Sequence, residues 1–285
     1  MYAHVLSVDR AALVRSVNAL PSLPAVVIEL MALVHQQHAN LEPVAHTLAL
    51  DQALSAKVLR LANSPFYGVP GRIDSIRDGV QMLGMRQLSN LVLAASLTLE
   101  FEKRYGSTLH MRNFWRHSIG CAIAARHVAA HTGHDTSAAF TAGLLHDIGR
   151  LVADSQYPDA MAEAQEWALA QDIPTAAAEE AMLGIGHAEL GAMVAQHWHF
   201  THDVTHAIAH HHQPPSATQA TLADVVHAAN ALTHALDLAG TPTEAVPEQD
   251  RSAWQRLNIS DVRLQTLFAE VEAEFAELMA RLQPA

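Results

Sequence analysis

"AGLLHDIGRLV", residues 142–152, sets a histidine and an aspartate side by side inside an apolar run. Burying two ionisable groups together is unfavourable unless something pairs with them. His146 and Asp147 therefore have two readings: ligands of a metal ion, or a mutually hydrogen-bonded pair in a helical core. The surrounding "AAFTAGLLHDIGRLVAD", residues 138–154, reads as one helix, with Asp135 or Thr136 suited to cap its start. Adjacent helical residues point about 100° apart. The pair can then share one ion, or Asp147 can bridge two ions while His146 serves one.

Working outward, the apolar spacing is helical almost everywhere, Ala and Leu dominate, and no strand pattern emerges. Upstream, helices are expected from about Ala25, over "LEPVAHTLALD" (41–51) and over "QALSAKVLRLANSPFYG" (52–68), the last stopping at Asn63–Ser64 because Pro65 follows. "SIRDGVQMLG" (75–84) opens with the capping-box spacing of Ser75 and Asp78 and breaks at Gly84, and "MRQLSNLVLAASLTLEF" (85–101) reads as a buried helix. The polar stretch 102–111 is the natural boundary between two lobes. Downstream, helices are expected over 112–131, 186–200, 202–212 and 221–240, with Pro158 and Pro174 placed to start others. Thr221 and Asp224 repeat the capping-box spacing, "TPTEAVPEQD" (241–250) is a loop, and 260–282 is an amphipathic helix whose acidic face reads as solvated. The fold class is all-α, as two abutting helical lobes.

Half of the 285 residues are hydrophobic and 16% are charged, the balance of a globular chain. A net charge of -12 with 17 Lys and Arg disfavours direct nucleic-acid binding. The opening residues carry Asp9, Arg10 and Arg15 among apolar positions and lack a signal-peptide core, and no apolar run approaches a membrane span. A cytoplasmic location with no membrane partner is expected. Cys121 stands alone, so neither an internal disulfide nor a cysteine-based zinc site is available, and its apolar helix suggests an inert core thiol.

Histidine is the outlier, with 20 copies. Four segments carry candidates in order: "FWRHS" with His117, "LLHDIGR" with His146 and Asp147, "GIGHAELG" with His187, and "AHHHQPP" with His210, His211 and His212. Imidazole and carboxylate suit Fe, Mn and Zn, and ligands on separate helices can converge in a bundle core. Two ions about 3.5–4 Å apart can clamp a phosphoryl group. The histidines before the double proline also suit a helix C-terminus. Arg150 fits either a solvated surface or a phosphate contact. Asn230 reads as a buried amide hydrogen-bonded to its neighbours.

This order of segments resembles the HD superfamily of metal-dependent phosphohydrolases, in which the His–Asp pair is the metal-binding signature. Over roughly residues 20–215 the chain is similar to the HDOD family. Its first half is matched by "LPSLPAVVIELMALV", "VAHTLALDQALSAKVLRLANSPFYG" and "SIRDGVQMLGMRQLSNLVLAAS", and its second by "FWRHSIGCAIAARHVA", "AAFTAGLLHDIGRLV", "GHAELGAMVAQHW" and "AIAHHHQP".

The resemblance implies an N-terminal extension (1–19), an HDOD domain of lobe one (20–104) and an HD-type bundle (105–215), and C-terminal helices (216–285) completing that bundle. It implies a bacterial signalling or regulatory role, through a protein partner or a small ligand such as a nucleotide or phosphate. It further implies one or two divalent ions (Fe, Mn or Zn) on His117, His146, Asp147, His187, His211 and His212. Most family members have degenerate HD motifs and no established catalysis, whereas this chain keeps His146 and Asp147.

The alternative is an active phosphohydrolase in which Asp147 and Arg150 take part in catalysis. Two departures bear on it. Superfamily enzymes close the ligand set with an Asp where this chain has Asn230. The related cyclic di-GMP phosphodiesterases carry Gly-Tyr-Pro after their paired histidines and commonly Lys at the position of Arg150, whereas "HHQPPSATQATL" lacks that motif.

Overall fold

A computed structural model of the chain describes residues 9–20, 22–33, 48, 52–63, 73–105, 109–240 and 246–282. Within them all regular structure is helical. The first part runs α1 (Arg10–Asn18), α2 (Ala25–Leu33), α3 (Gln52–Ala62), α4 (Ile76–Leu83) and α5 (Met85–Tyr105). The second begins with α6 (Leu109–Thr132), α7 (Thr136–Leu145), α8 (Ile148–Gln156), α9 (Pro158–Gln171) and α10 (Thr175–Leu183). It continues with α11 (His187–His197), α12 (His202–His210), α13 (Leu222–Ala235), α14 (Arg251–Leu257) and α15 (Asp261–Leu282). Among the described residues, no helix is long and apolar enough to cross a membrane. The expected helix at 41–51 and the "FYG" at 66–68 lie outside the described residues, Leu48 excepted.

Local chemistry sets most of these ends. Asn63 follows α3, where its amide donates to the Leu59 and Ile73 carbonyls and its Oδ1 accepts from the Ile73 amide. Gly84, at φ +80°, separates α4 from α5, a backbone conformation that favours glycine. Asp135 caps α7 by accepting from the amides of Ser137 and Ala138. Thr221 and Asp224 form a reciprocal capping box on α13, and Ser75 Oγ accepts from the Asp78 amide at 3.1 Å. Pro158 occupies the first turn of α9.

Helices α2, α3 and α4 pack around α5, which is buried throughout 88–98 and rests on α6 and α7. In the second bundle α6 is central, packed against α7, α13 and α15, and α12 lies against α7, α11 and α13. One apolar core runs continuously from Leu13 to Leu278 through both bundles. Helix α1 packs on α8 and α11, and Arg10 reaches Glu189 at 2.7 Å. Helix α15 touches both α6 and α3.

Two expectations need correction. The segment 138–154 is not one helix: α7 ends at Leu145 and α8 starts at Ile148. His146 stays helical (φ -53°, ψ -37°), while Asp147 takes φ -101°, ψ 8°, in the sparsely populated bridge region. Tertiary packing overrides the helical preference here, because the turn lays Gly149 against the backbone of α11. A Cβ at Gly149 would lie 2.1 Å from the His187 carbonyl oxygen and 2.6 Å from the Gly191 nitrogen. The acidic face of α15 is likewise not wholly solvated. Glu274 is buried, accepting from Arg126, and its Oε2 lies 2.8 Å from His127 Nε2.

Gly149→Ala is expected to lower unfolding stability by about 3 kcal/mol, because the clashing atoms are backbone and cannot rotate away. A shift of the urea midpoint with the slope unchanged would register it.

Candidate metal centre

Four elements and one junction deliver the side chains. Helix α6 supplies His117, the α7–α8 junction His146 and Asp147, the first residue of α11 His187, and the end of α12 His211 and His212. Helix α13 flanks them with Asn230 and His234. Except for the half-buried His212 and His234, all are buried.

The imidazoles present their Nε2 atoms to one another around the Asp147 carboxylate. Asp147 Oδ1 lies 3.1 Å from His187 Nε2 and 3.6 Å from Nε2 of both His146 and His211. His117 Nε2 and His146 Nε2 are 3.2 Å apart, and His187 Nε2 and His212 Nε2 are 2.8 Å apart. Two groups result: His117, His146 and Asp147, and Asp147, His187, His211 and His212. Within each, the ligand atoms lie within 4.8 Å of one another, and Asp147 belongs to both.

The opposite edges of three rings are held from behind. His146 Nδ1 donates to the Gly143 carbonyl and His211 Nδ1 to the Ile208 carbonyl, both at 2.8 Å. His187 Nδ1 faces the Glu179 carboxylate on α10, which also accepts from the His187 backbone amide at 3.1 Å. Such partners fix the tautomer and leave the Nε2 lone pair directed inward. His227 holds the position of His211 in turn: its Nδ1 donates to the His211 carbonyl, and its Nε2 accepts from the Asp250 amide.

This chemistry fits a cation. Asp147 Oδ1 and His211 Nε2 are buried atoms that make no hydrogen bond, and both face the cluster. Burial opposes ionisation of Asp147, yet Arg150 and the adjacent imidazoles hold its carboxyl well below the usual range. Burial also keeps His117, His146 and His211 neutral and pushes His212 down to about 2. Burial alone would lower His187 too, but Glu179 and Asp147 outweigh it and raise this imidazole to about 9. An ionised carboxylate among imidazoles that are neutral, or that lose a proton on ligation as His187 would, is a donor set for Fe, Mn or Zn.

Arg150 lies at the rim with 32% of its side chain exposed, Nη1 3.4 Å from Asp147 Oδ2 and Nε 3.5 Å from Glu179 Oε1. All six candidate ligands named from the sequence are thus brought together, with Arg150 beside them. His210 is not among them: its ring pairs with that of His206. Asn230 departs from its reading, since its buried Oδ1 makes no hydrogen bond. Cys121 is buried, and burial pushes its thiol up, as an inert core residue requires.

Two residues escaped the sequence reading. His234 follows Asn230 by one helical turn, its ring 4.7 Å from that of His117, and burial lowers it to about 4. That i, i+4 spacing was a usable signal. Glu179 had none, because only the packing of α10 beside α11 brings it to His187.

Glu179→Gln should weaken divalent-ion affinity about 10–100-fold while the fold persists, as chelator competition and thermal unfolding would register. The ion-free chain holds a proton on His187 that ligation must displace. Affinity should therefore rise with pH from neutrality to about 9, with proton release visible by calorimetry in buffers of different ionisation enthalpy. Glu179→Gln should flatten that dependence.

The HDOD domain family model matches residues 20–214. A candidate phosphohydrolase from Shewanella amazonensis SB2B has a similar structure, with TM-score 0.74 and 31% identity, covering 96% of this chain and 98% of that one. An HDOD domain protein of unknown function from Geobacter sulfurreducens gives TM-score 0.75 and 25% identity, covering 95% and 96%. An uncharacterized protein of Treponema pallidum (strain Nichols) is 27% identical over 270 residues, covering 93% of this chain and 52% of that relative. The chain thus spans about half the length of the Treponema protein. With its all-helical fold and its match over most of its length, the chain belongs to the HDOD family.

Proposed function

We propose that this chain is a bacterial, cytoplasmic signalling module that passes on a regulatory state by binding a protein partner or a small phosphate-bearing ligand. Its second bundle holds one or two divalent ions. The observation that carries this reading is the Asp147 oxygen set 3.1–3.6 Å from three imidazole nitrogens.

In this reading His117, His146 and Asp147 hold one ion, while Asp147, His187, His211 and His212 hold the other. Asp147 would serve both. The half-site on α6 is the weaker, because Asn230 supplies a neutral amide where a carboxylate would add a negative charge. Bound ions supply Lewis acidity toward a phosphoryl oxygen. Arg150 turns its guanidinium to the rim, where it suits a phosphate.

The second reading is an active phosphohydrolase acting on a nucleotide or phosphodiester. The partly exposed Arg150 beside the Asp147 carboxylate favours it, and so does likeness to the Shewanella candidate phosphohydrolase. Here Asp147 holds the ions and Arg150 stabilises charge developing on the phosphate.

Elemental analysis of tag-free protein tests the shared premise. Near-stoichiometric Fe, Mn or Zn is expected, and His146→Ala/Asp147→Ala should lack it with its helical content intact. Wild-type protein that takes up no ion from a micromolar supply would overturn both readings. A phosphoester screen then separates them. Turnover that vanishes in Asp147→Ala and falls about 100-fold in Arg150→Ala marks an enzyme. Ion binding without turnover marks a regulatory module.

A further inference from the structure

Helix α12 carries a second group of histidines that faces away from the buried centre. His202, His206 and His210 are spaced four apart, which places them along one helix face. The rings of His202 and His206 lie 5.7 Å apart and nearly parallel, at 25°. Those of His206 and His210 lie 4.4 Å apart, at 47°. The His202 side chain is 88% exposed, and His206 and His210 are half-exposed. Among the described residues no hydrogen bond engages the ring of His206 or His210. The core therefore places no evident demand on these side chains.

We propose that His206, paired with His202 or with His210, forms a two-imidazole surface site for one divalent transition ion of the imidazole-preferring kind, with Zn²⁺ as the representative ion. Two imidazoles bound tetrahedrally to one Zn²⁺, with Zn–N of about 2.0–2.1 Å, put their ring centroids about 5 Å apart. The two separations along α12, 5.7 and 4.4 Å, bracket that distance. Small rotations of exposed side chains complete the chelate with the helix unchanged. His206 is common to both pairs and is the pivotal ligand. The carboxylate of Asp203, 3.6 Å from His202 Nδ1 and itself 84% exposed, adds negative charge beside the site.

The site is distinct from the inner centre. His211 and His212 follow His210 directly, but their rings lie with those of His146 and His187. The proposal therefore stands whether or not the inner ligands hold ions.

Zn²⁺ titration of tag-free, metal-stripped full-length chain by chelator competition is the test. His146→Ala/Asp147→Ala should still bind a Zn²⁺ equivalent, and adding His206→Ala should abolish it. In the otherwise wild-type chain, His206→Ala should lower the Zn²⁺ stoichiometry by one. Unchanged stoichiometry in that variant would overturn the proposal. Imidazole NMR signals of the wild-type chain give a reading independent of the inner substitutions. His206 should shift on Zn²⁺ addition together with His202 or His210, and if His206 stays unmoved at saturation the site does not exist.

Discussion

A carboxylate buried among imidazoles at a helix junction is the constraint around which the second bundle is organised. Taking Asp147 out of water is unfavourable by several kcal/mol unless positive charge or hydrogen-bond donors compensate. Arg150, one turn along, supplies charge from the rim, and His187 supplies it from within. Glu179 allows His187 to do so, by stabilising its charged form from the far side of the ring. A bound ion would take the place of that proton and meet the same oxygen and nitrogens. Electrostatic balance and ligand geometry are thus one design.

That design depends on backbone features away from the charges. The turn at Asp147 ends one helix and starts another, and α8 then crosses α11 closely enough that only glycine fits at position 149. Gly143 serves the parallel contact, since a Cβ there would lie 2.7 Å from the Cys121 carbonyl on α6. Its own carbonyl anchors the His146 ring. On the other side, His227 ties the end of α12 to the backbone before α14, and Arg256 of α14 pairs with Asp224 in the capping box of α13. Apart from His117, which lies within α6, the clustered histidines therefore stand at helix termini locked by hydrogen bonds, which keeps their rings in register.

The two halves of the centre are not equivalent. The half built from His187, His211 and His212 has a carboxylate behind one ligand and a backbone carbonyl behind another. The half built from His117 and His146 is flanked by α13, where Asn230 and His234 introduce no negative charge. Two ions bound at these half-sites would therefore be held with unequal affinity.

The sequence by itself determined the helical class, a capped helix start at Asp135 or Thr136 and another at Thr221, a helix stop near Asn63, and the six candidate ligands. The first three depend on local rules, namely periodicity, capping chemistry and proline, and the six candidates on the family resemblance carried by the order of histidine-bearing segments. Only the tertiary structure decided that the His–Asp pair sits at a break between helices. The same holds for Glu179 behind His187, for His234 beside His117, and for Glu274 turned inward to Arg126. Each depends on two helices meeting at a particular angle and register. That juxtaposition is set by the packing of the whole core, so no local stretch of sequence encodes it.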